Sequence, residues 1–161
     1  MGKKKNVLMI CTDHWAGSYF RHCGCDVYTP TLDYLAENGI EFRNCYSECP
    51  VCIPARRTLM TGLVPRHHKD RVYSESMEMP DVTTLAQCFR NDGYQAYAVG
   101  KLHVYPQRNR IGFDDVILAE EGRYEFGETD DYQIWLGEKG HVGEEFMHSM
   151  GNNNYLTRPW H

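Results

Sequence analysis

Long apolar runs are missing from this chain of 161 residues. The longest near the N-terminus, Val7 to Cys11, is too short for a signal-peptide core or a membrane-spanning helix. The expectation is a cytoplasmic protein with no membrane contact, unless a leader has been removed. An excess of basic charge is also missing. Lys and Arg number 17 against 22 Asp and Glu, a net charge of −5, which argues against nucleic acid as a partner. There is no internal repeat and no low-complexity tract. The seven cysteines are an odd number without a regular framework, which favours a reducing compartment over a disulfide-stapled fold. Cys23, Cys25, Cys45, Cys49 and Cys52 match no familiar zinc-finger or ribbon spacing.

The chain does have an ordinary globular composition, 42% hydrophobic and 24% charged, and a length that suits one domain with a modest core. Asn6 to Thr12 reads as a buried parallel strand and Ile40 to Tyr46 as a second. Helical spacing covers 31–38, closed by Gly39, then 54–61, closed by Gly62, and 82–91, closed by Gly93. Gln95 to Val99 and Asp115 to Leu118 read as further strands, and Asp130 to Glu138 as a last helix. Gly137 to His161 has weak periodicity and reads as a loop. Strands alternating with helices predict an α/β fold with a mainly parallel sheet and flanking helices. Ligands then belong outside the carboxyl ends of the strands. Asp13, the Cys52 loop and Lys101 all follow strands at that edge.

Cys52-Ile53-Pro54-Ala55-Arg56 carries the most information. Pro54 suits the first turn of a helix, where its missing N–H costs nothing. A potential nucleophile and a cation then stand at a helix N-terminus, which is suited to an anion. A lone cysteine near a proline is more often structural. Here, however, Thr61-Gly62 follows in register, and the stretch resembles the C-x-P-x-R…TG signature of the type I sulfatases. Asn6 to Asp13 is similar to that family's first strand. Thr29-Pro30-Thr31-Leu32-Asp33-Tyr34-Leu35-Ala36 resembles its T-P-N-L-D-x-L-A helix, with Thr31 as the departure. Gly39 to Tyr46, Thr84 to Tyr94, Gly100-Lys101-Leu102-His103 (resembling G-K-W-H) and Gly112-Phe113-Asp114 follow in the family's order. The resemblance implies an alkaline phosphatase-like fold, of which residues 1–161 form the N-terminal part of a catalytic domain.

The resemblance also implies a chemistry, hydrolysis of a sulfate monoester from a small molecule or carbohydrate. Cys52, oxidised to formylglycine by a maturation enzyme, supplies the nucleophile. Arg56 holds its hydrate, Lys101 binds a sulfate oxygen and His103 bonds the hydrate. Asp13 is a metal ligand, with Cys52 and His14 beside it. Oxygen ligands suit calcium, with magnesium as an alternative. His14 stands where many members have a second aspartate, and imidazole suits manganese better. Lys101 and His103 alternate past a strand end, so both are expected to face one site. The basic run Arg66, His67, His68, Lys69 and Arg71 reads as either a solvated face or an attractor of anionic substrates. Phosphonate monoester or phosphodiester hydrolysis is the alternative reaction, and a non-catalytic remnant the alternative of another kind. The family's second metal-ligand pair has no counterpart after Asp114. A fragment with little activity alone, covered by self-association or by a missing portion, is therefore expected.

Overall fold

The computed structural model describes residues 4–13, 15–20, 23–120 and 128–142. The chain divides into two compact units, Met1–Cys45 and Tyr46–His161.

In the first unit, α1 spans Pro30–Asn38. Proline fits its first position, Asp33 lies in its first turn, and the Asp33 amide donates to the Thr29 carbonyl at 2.9 Å. Gly39 stops it, as expected. A 3-10 turn, Gly17–Tyr19, precedes it, with Trp15 set edge-on to Tyr19. The strands expected at 6–12 and 40–46 do not form among the described residues. Val7, Leu8, Met9 and Ile10 are 51–84% exposed. Such a composition states a preference for a pleated, half-buried surface. Only ladder bonds to a neighbour turn that preference into a strand.

The second unit is built on two parallel strands, β1 (Tyr97–Gly100) and β2 (Asp115–Leu118), with Tyr97 opposite Asp115 and Gly100 opposite Leu118. Among the described residues four helices accompany them. They are α2 (Cys52–Thr61), α3 (Pro65–His68), α4 (Leu85–Asn91) and α5 (Asp131–Glu138). The core is Met60, Leu102, Val104, Ile111 and Leu118, with Met79, Ala98, Phe113 and Val116 packed against it. It joins α2 to the sheet and to the loop after β1. The sequence places the start of α4 at Val82, but the helix begins at Leu85. Thr84 takes the cap instead, its hydroxyl oxygen accepting the Gln87 amide at 3.2 Å. Asp130 caps α5 in a reciprocal box with Gln133, which satisfies two amides that a helix start leaves open.

The Thr84 and Gly112 segments interlock. The Thr84 hydroxyl also donates to the Ile111 carbonyl at 2.6 Å. Gly112 has φ +95°, and a Cβ there would lie 2.6 Å from that hydroxyl and 3.1 Å from the Gln87 amide. Only glycine meets both demands. Gly112→Ala is expected to lower stability by about 2–4 kcal/mol, from the left-handed backbone and the contact together. Urea unfolding measures it. Gly140→Ala, which has a positive φ but nothing within 4 Å of the added carbon, should lose clearly less.

Candidate active site

Helix α2 starts at Cys52, with Val51 extended before it. The first bond of its ladder runs from the Ala55 amide to the Val51 carbonyl at 2.9 Å. Pro54 has no amide to offer. The backbone N–H groups of Cys52 and Ile53 therefore stand outside that ladder, at the positive end of the helix dipole. Thr61 and Gly62 close the other end. The Thr61 hydroxyl donates to the Arg57 carbonyl at 2.7 Å. Gly62 takes φ +68° and its amide returns to the Thr58 carbonyl. The T-G of the motif is thus the stop that fixes the helix length.

Lys101 follows β1 directly, and its Nζ lies 4.0 Å from the half-buried Cys52 Sγ. Arg56, one turn along α2, donates through Nη1 to the Lys101 carbonyl. The helix start and the sheet edge are therefore tied at the residue that carries the ammonium. His103 departs from the expected alternation. It has φ +57°, a left-handed conformation uncommon for a residue with a Cβ, and the residue is 2% exposed. The ring meets Tyr73 edge-on with centroids 5.7 Å apart, and Nε2 lies 3.4 Å from the Tyr73 hydroxyl. The Glu120 carboxylate accepts the Leu102 amide at 2.8 Å and the His103 amide at 3.0 Å. Burial pushes the Glu120 carboxyl above its usual range, against the pull of those two amides and of the Arg56 and Lys101 charges.

The other face of α2 carries Arg57, which is 2% exposed. Its guanidinium meets the buried Asp70 at 3.1 Å and donates to the carbonyls of Met77 and Glu78. His68 joins the network. Its Nδ1 accepts the Asp70 amide at 3.2 Å and its Nε2 lies 3.0 Å from the Thr58 hydroxyl. The basic run is thus not a uniform solvated face. Arg66, His67, Lys69 and Arg71 are exposed or half-exposed, and His68 turns inward.

The sulfatase profile matches residues 5–158 of this chain. The chain belongs to the sulfatase family. Its members lie in the alkaline phosphatase-like superfamily, and the parallel strand pair with flanking helices is a part of that architecture. An arylsulfatase of Clostridium perfringens is 31% identical over 170 residues, covering 98% of this chain and 35% of the relative. A choline-sulfatase of Rhizobium meliloti is 30% identical over 151 residues, covering 92% and 28%. A delta 4,5-hexuronate-2-O-sulfatase of Bacteroides thetaiotaomicron is 36% identical over 111 residues, covering 63% and 22%. The chain therefore spans 35% or less of the length of these curated relatives.

Three of the residues that the sulfatase resemblance singles out, Cys52, Arg56 and Lys101, come together. His103 lies two residues beyond Lys101, anchored below by Glu120. Asp13 stands in the first unit, and His14 lies outside the described residues. Among the described residues no three His, Cys, Asp or Glu side chains gather as a metal-holding group. Some sulfatase-like segments serve the frame. Asp114 of Gly112-Phe113-Asp114 accepts the Ala96 amide at 2.8 Å and pairs with Arg90 Nε at 2.8 Å, bracing α4 against the entry to β1. Glu120 escaped the sequence reading. Its signal was position, since it comes two residues after β2 as Lys101 comes one residue after β1.

Proposed function

We propose that this chain carries the nucleophile segment of a sulfate-ester hydrolase. The observation that supports the reading best is the 4.0 Å approach of Lys101 Nζ to Cys52 Sγ at the start of α2, braced by Arg56 on the Lys101 carbonyl. A sulfate ester repels an anionic nucleophile, so the site needs positive charge fixed beside the attacking atom. The Lys101 ammonium and the α2 N-terminus supply it from two sides. Formylglycine formed from Cys52 supplies a hydrated aldehyde. One hydroxyl oxygen attacks sulfur as the S–O bond to the ester alcohol breaks and the alcohol leaves. The second hydroxyl then loses its proton so that the aldehyde re-forms and sulfate is expelled, and water restores the hydrate. Asp13, with His14 as its neighbour, is the proposed metal contact, the metal being calcium, magnesium or manganese. Arg56 keeps the lysine loop docked on the helix, and His103 offers an imidazole for proton movement near the hydrate. The relatives are named for aryl, choline and hexuronate sulfates, so the proposed substrate class is a small-molecule or carbohydrate sulfate ester. A formylglycine-generating enzyme is the proposed maturation partner.

Peptide mass spectrometry after co-production with such an enzyme is the first test. Cys52 should lose its thiol mass under conditions that convert a control sulfatase. The converted segment, within a chain of its relatives' full length, is then offered aryl sulfate and aryl phosphonate esters side by side. Preference for sulfate is expected. Intact cysteine in the presence of a converted control, or preference for phosphonate, would refute this assignment.

A further inference from the structure

We propose that Glu120 is a positioning residue, holding the Lys101–His103 loop in the shape the site uses by gripping the backbone amides of Leu102 and His103. The word "site" rests on the function proposed above, while the grip itself rests on geometry. Two successive N–H groups converge on one carboxylate, Leu102 at 2.8 Å to Oε1 and His103 at 3.0 and 3.2 Å to the two oxygens. Successive amides that point the same way form an anion-binding concavity. Here the anion is built in.

The arrangement is fully enclosed. Leu102, His103 and Glu120 are 4%, 2% and 1% exposed, so water does not substitute for a lost acceptor without rearrangement. His103 holds a left-handed backbone that a side chain normally avoids, and such strain persists only where the surroundings over-determine it. The carboxylate is the group that does so. Glu120 is itself fixed, because its own amide donates to Asp130 Oδ2 at 2.5 Å and Asp130 caps α5. The line of support runs from the start of α5, through the end of β2, to the residue between Lys101 and His103. Its charge also faces Arg56 and Lys101, both of which favour the ionised form. Removing Glu120 frees the loop to relax toward extended backbone. The His103 ring then leaves Tyr73, and the Lys101 carbonyl loses its fixed relation to Arg56.

A merely structural carboxylate would lower stability throughout the unit. A positioning carboxylate acts on its own loop. The experiment is residue-resolved amide exchange with NMR of the histidine rings, on the unmodified protein and on Glu120→Ala and Glu120→Gln. In Glu120→Ala the Leu102 and His103 amides should exchange about ten- to a hundredfold faster, the scale of a lost hydrogen bond to a charged acceptor. The Met60 amide, inside α2, should keep its rate, and the His103 ring signals should shift. Glu120→Gln, which keeps one acceptor oxygen, should recover part of the protection. Should Glu120→Ala not fold, Glu120→Gln decides alone: shifted His103 signals and faster loop exchange with Met60 unchanged support the assignment. Unchanged loop amides, or equal acceleration at Met60, overturn it. None of these readouts needs turnover, so intact Cys52 beside a converted control would sink the proposed function and leave this inference to stand or fall by itself.

Discussion

In a chain carrying this segment at the full length of its sulfatase relatives, Cys52→Ala is expected to reduce aryl-sulfate turnover by about a thousandfold or more, the scale on which loss of a covalent nucleophile acts. Lys101→Ala should follow at about a hundred- to a thousandfold, as for loss of one fixed donor beside developing charge. A unit charge 4 Å from another in a partly buried site is worth roughly 4 kcal/mol at an effective dielectric near 20, which sets the upper end of that range. Lys101→Arg is the informative partner. It keeps the charge but moves it, because a planar guanidinium does not replace a compact ammonium at one point. It should recover binding in KM more than rate in kcat. The assay is steady-state hydrolysis of an aryl sulfate by protein whose conversion at residue 52 has been quantified by mass. Undiminished turnover in Cys52→Ala would remove the nucleophile assignment. A purely KM effect in Lys101→Ala would show that the ammonium binds the ester without favouring its cleavage.

The chemistry at the helix start was legible because it is local. Cys52, Pro54, Arg56 and Thr61 lie within one helix, which starts at Cys52, two residues ahead of the expected opening at the proline, and stops at the left-handed Gly62. The strand at 115–118 was legible for the same reason, being four residues with β-branched members after the turn at 111–112. Strands at 6–12 and 40–46 were read from identical cues and do not form among the described residues, because a ladder depends on partners that composition does not name. His103 was misread as alternating with Lys101. Its positive φ comes with an amide hydrogen bond to Glu120, 17 residues later, and no spacing rule reaches that far. His68 was hidden in a basic run. Its burial depends on Arg57 and Asp70 meeting beneath it.

That buried network carries the largest expected loss of stability. Asp70→Ala should destabilise the protein by about 3–5 kcal/mol, since it strands the Arg57 guanidinium where water is excluded. This is a large share of the roughly 5–15 kcal/mol that holds a typical domain folded. The Met77 and Glu78 carbonyls continue to accept from Arg57, but neither carries charge. Arg57→Met combined with Asp70→Leu should recover much of the loss, because the pair is then replaced rather than broken. His68 adds a pH dependence. Its Nδ1 accepts the Asp70 amide, so the folded ring is neutral with its proton on Nε2, toward Thr58. Burial, and then the Arg57 charge, hold its pKa below the ordinary 6.5, with Asp70 opposing. A depressed folded pKa makes protons bind the unfolded chain first. The His68 contribution is therefore complete above about pH 6.5 and falls away as pH drops toward the folded value. Glu120, whose pKa is raised, acts with the opposite sign in the range above its ordinary 4.5. The comparison that isolates His68 is therefore wild type against His68→Gln, by urea unfolding at pH 7.5 and at about pH 5.5. Wild type should lose more stability over that interval than the variant. An equal loss in both would place the acid sensitivity elsewhere, and an Asp70→Ala protein as stable as wild type would mean that Arg57 does not need its carboxylate.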